Sequence, residues 1–380
     1  MNNIYLDHSA TTPLHPQAVE KMTAVMKEIY GNPSSIHALG RQARHLLDDA
    51  RAKIARTIHA NVNELVFTSG GTEADNLAII GTAIANRNNG KHVITSSIEH
   101  HAVLHACHFL EREGYEVTYV QPDENGLIHV KDIEKALRDD TILVTIMYAN
   151  NEVGTIQPIK EIGSLLEGHQ AYFHTDAVQA YGTEEIDVND LQVDLLSASA
   201  HKINGPKGVG FLYIKNGTKI DSLFYGGEQE LKRRPGTENL VSIAGFAEVA
   251  SITSRMLEEK RKAYKHLKDQ FLQTLDDEKV DFTINGSTEE SIPHLLNISF
   301  PGTDVESLLV NLDLAGIAAS SGSACTAGSV EPSHVLTAMF GDGSERTRNS
   351  IRFSFGLGNT KEEAIEAAKR TAEIVRRLTI

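Results

Sequence analysis

Between residues 65 and 214 short β-rich runs alternate with helical runs, and this alternation constrains the fold more than any other feature of the chain. The runs at 65–68, 92–95, 116–120, 142–147, 171–174, 194–197 and 209–214 have the length of strands, and most are rich in β-branched or aromatic residues. Strands separated by helices join as parallel neighbours, because a helical crossover returns the chain to the start of the next strand and covers one face. An α/β fold follows, with a mostly parallel seven-stranded sheet covered by helices. Helical periodicity also appears at 16–30 and 35–58, and a long polar-faced helical stretch from about 238 to 276 leads out of this region. Strands near 282–284, 295–299 and 350–354, with helices near 305–314 and 361–378, read as a smaller α+β unit. The expected division is a large domain at 15–257 and a small one made of 1–14 and 258–380.

Composition excludes several function classes. At 380 residues and 41% hydrophobic content, the chain has enough apolar material for two domains, which commonly run to roughly 100–200 residues. A net charge of −15, from 36 basic and 51 acidic residues, argues against a broad phosphate-binding face, so no direct nucleic-acid contact is expected. Cys107 and Cys325 are the only cysteines, too few for a disulfide framework or an all-cysteine metal site. The first residues lack a charged and apolar leader pattern, and no run reaches the roughly 18 apolar residues of a membrane span. A cytoplasmic protein with no membrane partner is expected.

Four segments carry the chemistry. Phe67-Thr68-Ser69-Gly70-Gly71-Thr72-Glu73-Ala74-Asp75-Asn76 passes from a strand through a Gly-Gly turn into a helix. Free N–H groups and the Thr72 hydroxyl there would cradle a phosphate, although such turns also serve as plain connectors. The pattern is neither a dinucleotide fingerprint nor a Walker A loop. Asp176 closes an apolar strand, and Lys202 follows the next one in Ser199-Ala200-His201-Lys202. Strand carboxyl ends are where open α/β sheets bind ligands. A lysine able to form a Schiff base and an aspartate able to keep a pyridine nitrogen protonated suit pyridoxal 5′-phosphate; by itself Lys202 also reads as a solvated loop lysine.

The fourth segment, about 320–332, surrounds Cys325 with small residues, so little burial offsets its ordering entropy and a mobile loop is expected. Cys107 shares a helical face with Val103 and Leu110 and reads as packing. His101, His105 and His108, at i, i+4 and i+7, form a rival metal site, but no metal is expected, since a metal hydrolase leaves Lys202 and the Cys325 segment without a purpose.

In this order and at these separations, GGTEADN, HTDAVQA, SAHK and SGSACT resemble the cysteine desulfurases of the NifS/IscS class, in the branch with a long cysteine loop. The resemblance spans Tyr5-Leu6-Asp7 through Arg352-Phe353-Ser354. It implies a fold type I pyridoxal-phosphate enzyme and a homodimer with sites at the subunit interface. On that resemblance Gly71, Thr72, Ser199 and His201 hold the cofactor phosphate, with Thr237 reaching it from the neighbouring subunit. Asp176 meets the ring nitrogen, Gln179 meets the ring oxygen, Lys202 is the covalent anchor, and His100 stacks on the ring and moves protons. Arg352 clamps the substrate carboxylate with Asn32 and Asn151 assisting, and Asn151 also counts among the cofactor contacts.

The implied reaction converts L-cysteine to L-alanine. Lys202 removes the Cα proton, and Cys325 takes the sulfur as a persulfide for an acceptor protein. With about seven residues on either side, at about 3.3 Å each, Cys325 would reach roughly 20 Å. The short run after residue 378 and the sequence at 356–360 differ from members that supply iron–sulfur scaffolds. A tRNA 2-thiouridylase is therefore the expected acceptor, with iron–sulfur assembly or selenocysteine lyase activity as the alternatives.

Overall fold

Runs with no polar face must be covered on both sides, and the central sheet is made of such runs. In the computed structural model, which describes residues 3–322 and 332–379, β1 (Ile4–Tyr5) precedes seven strands of one sheet. These are β2 (Leu65–Thr68), β3 (His92–Ser96), β4 (Glu116–Val120), β5 (Thr141–Thr145), β6 (Tyr172–Asp176), β7 (Leu195–Ser199) and β8 (Gly210–Ile214), in the order β2-β8-β7-β6-β5-β3-β4. β3, β5, β7 and β8 are buried at every residue, whereas β4, at the edge, begins on the exposed Glu116. Pairs from β7 across to β4 are parallel, and β8 runs antiparallel to both β7 and β2. β2, β3, β5, β6 and β7 therefore all end on one edge of the sheet.

Alternate residues of the strands feed two apolar layers. Phe67, Phe211 and Tyr213 pack with Leu47, Ile54 and Phe246 from helices Ala38–Arg56 and Leu240–Arg255. On the other face Val66, Leu195 and Leu212 meet Ala74, Val103, Cys107 and Leu110. Cys107 is fully buried on helix His101–Arg112, and burial pushes its thiol well above the ordinary range, as a packing role requires.

A second apolar core lies around a three-stranded antiparallel sheet. β9 (Thr283–Asn285), β10 (Leu295–Ser299) and β12 (Ser350–Ser354) lie in the order β12-β10-β9, while β11 (Ile317–Ala318) pairs in parallel with β1. Phe271 stands 4.8 Å from the Phe353 ring and 5.8 Å from Phe355, and Leu6 joins the same core from the N-terminal segment.

The long polar helix expected at 238–276 is instead two helices, Leu240–Arg255 and Leu257–Asp277, set at 78° to one another. Met256, at φ −106° and ψ 12°, turns its N–H back to Ile252 and Thr253 and ends the first helix. That first helix is buried on most of its surface; only the second is largely polar. Among the described residues no single helix is long and apolar enough to cross a membrane.

Candidate active site

The shared edge of β2, β3, β5, β6 and β7 opens into a cavity of about 400 Å³, a size suited to a small cofactor with its substrate. Gly71, Thr72, His100, Asn151, Asp176, Gln179, Ser199, His201, Lys202 and Arg352 all line it.

Lys202 ends a short 3₁₀ turn that directly follows β7. Its amine donates to the Ala10 carbonyl at 3.0 Å and to the Ser9 carbonyl. Burial and the Arg352 charge lower its pKa to about 7, against the pull of Asp176 and Asp7, so much of it is neutral near neutral pH. Asp176, the last residue of β6, accepts from the Val178 N–H at 2.9 Å. Burial raises its carboxyl to about 6, which marks a place for a cationic partner.

His100 caps helix His101–Arg112: its Nδ1 accepts from the Ala102 N–H at 3.1 Å. The neutral ring therefore carries its proton on Nε2. Burial, followed by the nearby Lys202, lowers its pKa to about 4. His201 is lowered to about 4 by burial and Lys202 as well, and its Nδ1 lies 3.2 Å from the Thr11 hydroxyl. Gln179 is tied through Nε2 to the Ser9 carbonyl at 2.9 Å.

At the opposite wall Arg352, on β12, donates to the Asn151 carbonyl at 2.9 Å and to Asp7 Oδ1 at 3.0 Å. Its Nε, Asn151 Oδ1 and Asp75 Oδ1 are buried without a hydrogen-bond partner. Beside Thr72, a Cβ on Gly71 would lie 2.7 Å from Val178 Cγ2, so only glycine lets the turn approach this closely. Neutral histidines, a buried aspartate, a near-neutral lysine and unpaired polar atoms fit a planar ring bearing an anionic phosphate.

Two expected contacts lie elsewhere in this chain. Thr237 is exposed and does not line the cavity. Asn32 is also exposed, and its Oδ1 accepts from the Ser34 N–H at 2.9 Å. Cys325 lies outside the described residues, although Ser320, Gly322 and His334 from its flanks line the cavity. Asp75, Glu152 and His334 line it without having been singled out for a role; Asp75 stands in the GGTEADN turn and Glu152 directly follows Asn151. His101, His105 and His108 rise along one helix with ring centroids 5.3 and 6.1 Å apart, and among the described residues no group of three or more His, Cys, Asp or Glu is arranged to hold a metal.

Residues 4–366 match the model of the family described as aminotransferase class-V. A protein of Bacillus subtilis (strain 168), provisionally named cysteine desulfurase IscS 1, is 58% identical over 379 residues, covering 100% of both chains. Cysteine desulfurase IscS of Methanosarcina thermophila is 49% identical over 376 residues, covering 99% of this chain and 92% of its own. A solved NifS-like protein superposes with a TM-score of 0.92 at 35% identity, over 99% of this chain and 100% of that one.

Proposed function

Because the chain belongs to the class-V aminotransferase family of pyridoxal-phosphate enzymes, we propose that it is a cysteine desulfurase that passes sulfur from L-cysteine to Cys325 and then to an acceptor protein. One observation carries this reading: Lys202, Asp176 and Arg352 share a cavity whose rim includes Gly322 and His334, from both flanks of the Cys325 segment. Bound pyridoxal phosphate supplies an electron sink that acidifies the substrate Cα.

The chain's own groups do the rest. Arg352 lines the cavity, with its guanidinium anchored to the Asn151 carbonyl and Asp7, and takes the substrate carboxylate, with Asn151 next to it. Lys202, with its pKa lowered to about 7, accepts the Cα proton through the neutral form that this shift populates near neutral pH. Asp176 would hold the ring nitrogen, and neutral His100 would stack on the ring with its Nε2–H available for proton transfer. Cys325, as thiolate, attacks the substrate sulfur. A sulfur–sulfur bond forms, the carbon–sulfur bond breaks, and its electron pair takes up a proton as alanine leaves, so no outside oxidant enters. In a homodimer, the exposed Thr237 reaches the neighbouring subunit's cofactor phosphate.

With a net charge of −15 this chain leaves RNA binding to its acceptor, here a tRNA 2-thiouridylase. Purified protein given L-cysteine alone should release alanine, and Cys325→Ala should stop multiple turnover while cofactor absorption persists. No alanine from the wild type overturns the desulfurase reading, and unaffected turnover in Cys325→Ala overturns the nucleophile. A deletion strain should lose 2-thiouridine; normal thiouridine with failing iron–sulfur enzymes reassigns the acceptor to a scaffold.

A further inference from the structure

Both described flanks of the Cys325 segment meet one carboxylate that has no role so far. Glu152, 2% exposed, accepts a hydrogen bond from the Ser333 hydroxyl through Oε2. Its Oε1 lies 3.9 Å from His334 Nδ1. From the other flank Gly322, at φ +87°, packs its backbone so closely that a Cβ there would stand 2.9 Å from Glu152 Oε2.

The carboxylate is itself well anchored. Glu152 N–H donates to Asn150 Oδ1 at 2.9 Å, and its carbonyl accepts from Asn297 Nδ2 at 3.0 Å. Ser333 Oγ also caps helix His334–Phe340 by accepting from the Leu336 N–H at 3.1 Å. His334 Nε2 lies 2.9 Å from the Glu99 carbonyl, beside His100. Two residues before Gly322, Ser320 exchanges backbone hydrogen bonds with Arg352.

We infer that Glu152 is a positioning residue for sulfur transfer, bonding Ser333 and packing against the Gly322 backbone on the wall that carries Asn151 and Arg352. The inference rests on the desulfurase reading.

The test uses holoenzyme carrying Glu152→Ala, Ser333→Ala or Glu152→Gln, with cofactor absorption and alanine formation followed after L-cysteine is added. In the first two variants the L-cysteine-induced absorption change persists and KM stays within about twofold, while kcat falls about tenfold or more. Glu152→Gln, whose Oε1 still accepts from Ser333, recovers most of that rate. The alanine double variant is no slower than the slower single, since both remove the same contact. Wild-type kcat in both single variants overturns the inference. So does an absorption change that is lost in step with alanine formation, because Glu152 would then act on the cofactor site. A wild type whose absorption ignores L-cysteine removes the desulfurase reading instead.

Discussion

The floor of the cavity and its rim are built by different means. On the floor, Asp176 and Ser199 are the last residues of β6 and β7, and Lys202 and His100 follow within four residues of a strand end. Their backbones are held by the hydrogen-bonded ladder of a sheet buried on both faces. At the rim, Ser320, Gly322 and Arg352, with Asp7 bound to Arg352, come from segments that form or border the smaller core, while His334 opens a helix whose Val335, Leu336 and Met339 pack in the larger one. They meet through contacts between distant segments, by side chains in the Arg352–Asp7 pair at 3.0 Å and the Ser333–Glu152 bond, and by backbone where Ser320 pairs with Arg352. The floor holds groups whose protonation matters, with burial setting each pKa. The rim holds groups that choose, orient and deliver. Substitutions on the floor should therefore remove chemistry, and substitutions at the rim should shift binding or transfer.

Lys202→Ala should show the largest effect. Loss of a positioned base lowers alanine formation about 10²–10⁴-fold, while L-cysteine still binds through Arg352. Turnover and substrate binding measured side by side decide it: turnover within tenfold of wild type would mean that the proton moves elsewhere and the contrast fails. Arg352→Lys comes next. Lysine keeps the charge but not the planar fork, and it cannot reproduce the bonds to Asn151 and Asp7 together with a third to substrate. KM for L-cysteine should rise roughly tenfold to a hundredfold, with a smaller change in kcat. A fall in kcat at unchanged KM would move Arg352 from the rim's work to the floor's.

The same contrast explains what could be read from sequence. Floor residues lie a fixed short distance from strand ends, so the β-rich runs pointed at once to Asp176, Lys202 and the Thr72 turn. Rim contacts join residues with no shared local pattern: Ser333 and Glu152 are 181 positions apart, and Arg352 and Asp7 are 345 apart. Ser9 and Ala10 hold the Lys202 amine with backbone carbonyls, which leave no side-chain signature. The break at Met256 carries no Pro or Gly to announce it. Asn32 was marked by its motif, yet in this chain it is exposed and caps a local turn.

Glu99 joins the two regions and gives the finest test. It is fully buried beneath the floor, with Oε1 accepting from the Ser96 hydroxyl at 2.6 Å and the Met147 N–H at 3.0 Å, and Oε2 without a partner. Its backbone carbonyl meets the ring of His334 at the rim. Burial pushes its carboxyl up to about 8, aided by Asp176 and opposed by Ser96 and Met147. In the unfolded chain the group titrates near its ordinary value of about 4.3. Between that value and about 8 the folded state holds the extra proton, so this group's contribution to stability falls as pH rises, by about 1.4 kcal/mol per pH unit. Glu99→Gln cannot titrate, and its Oε1 keeps both hydrogen bonds. Its Tm relative to wild type should therefore climb by a few degrees from pH 5 to pH 8. Parallel Tm curves over that range would mean that the folded protein ionises Glu99, placing a buried negative charge under Asp176 and Lys202 and ending the distinction between a floor tuned by burial and a rim tuned by pairing.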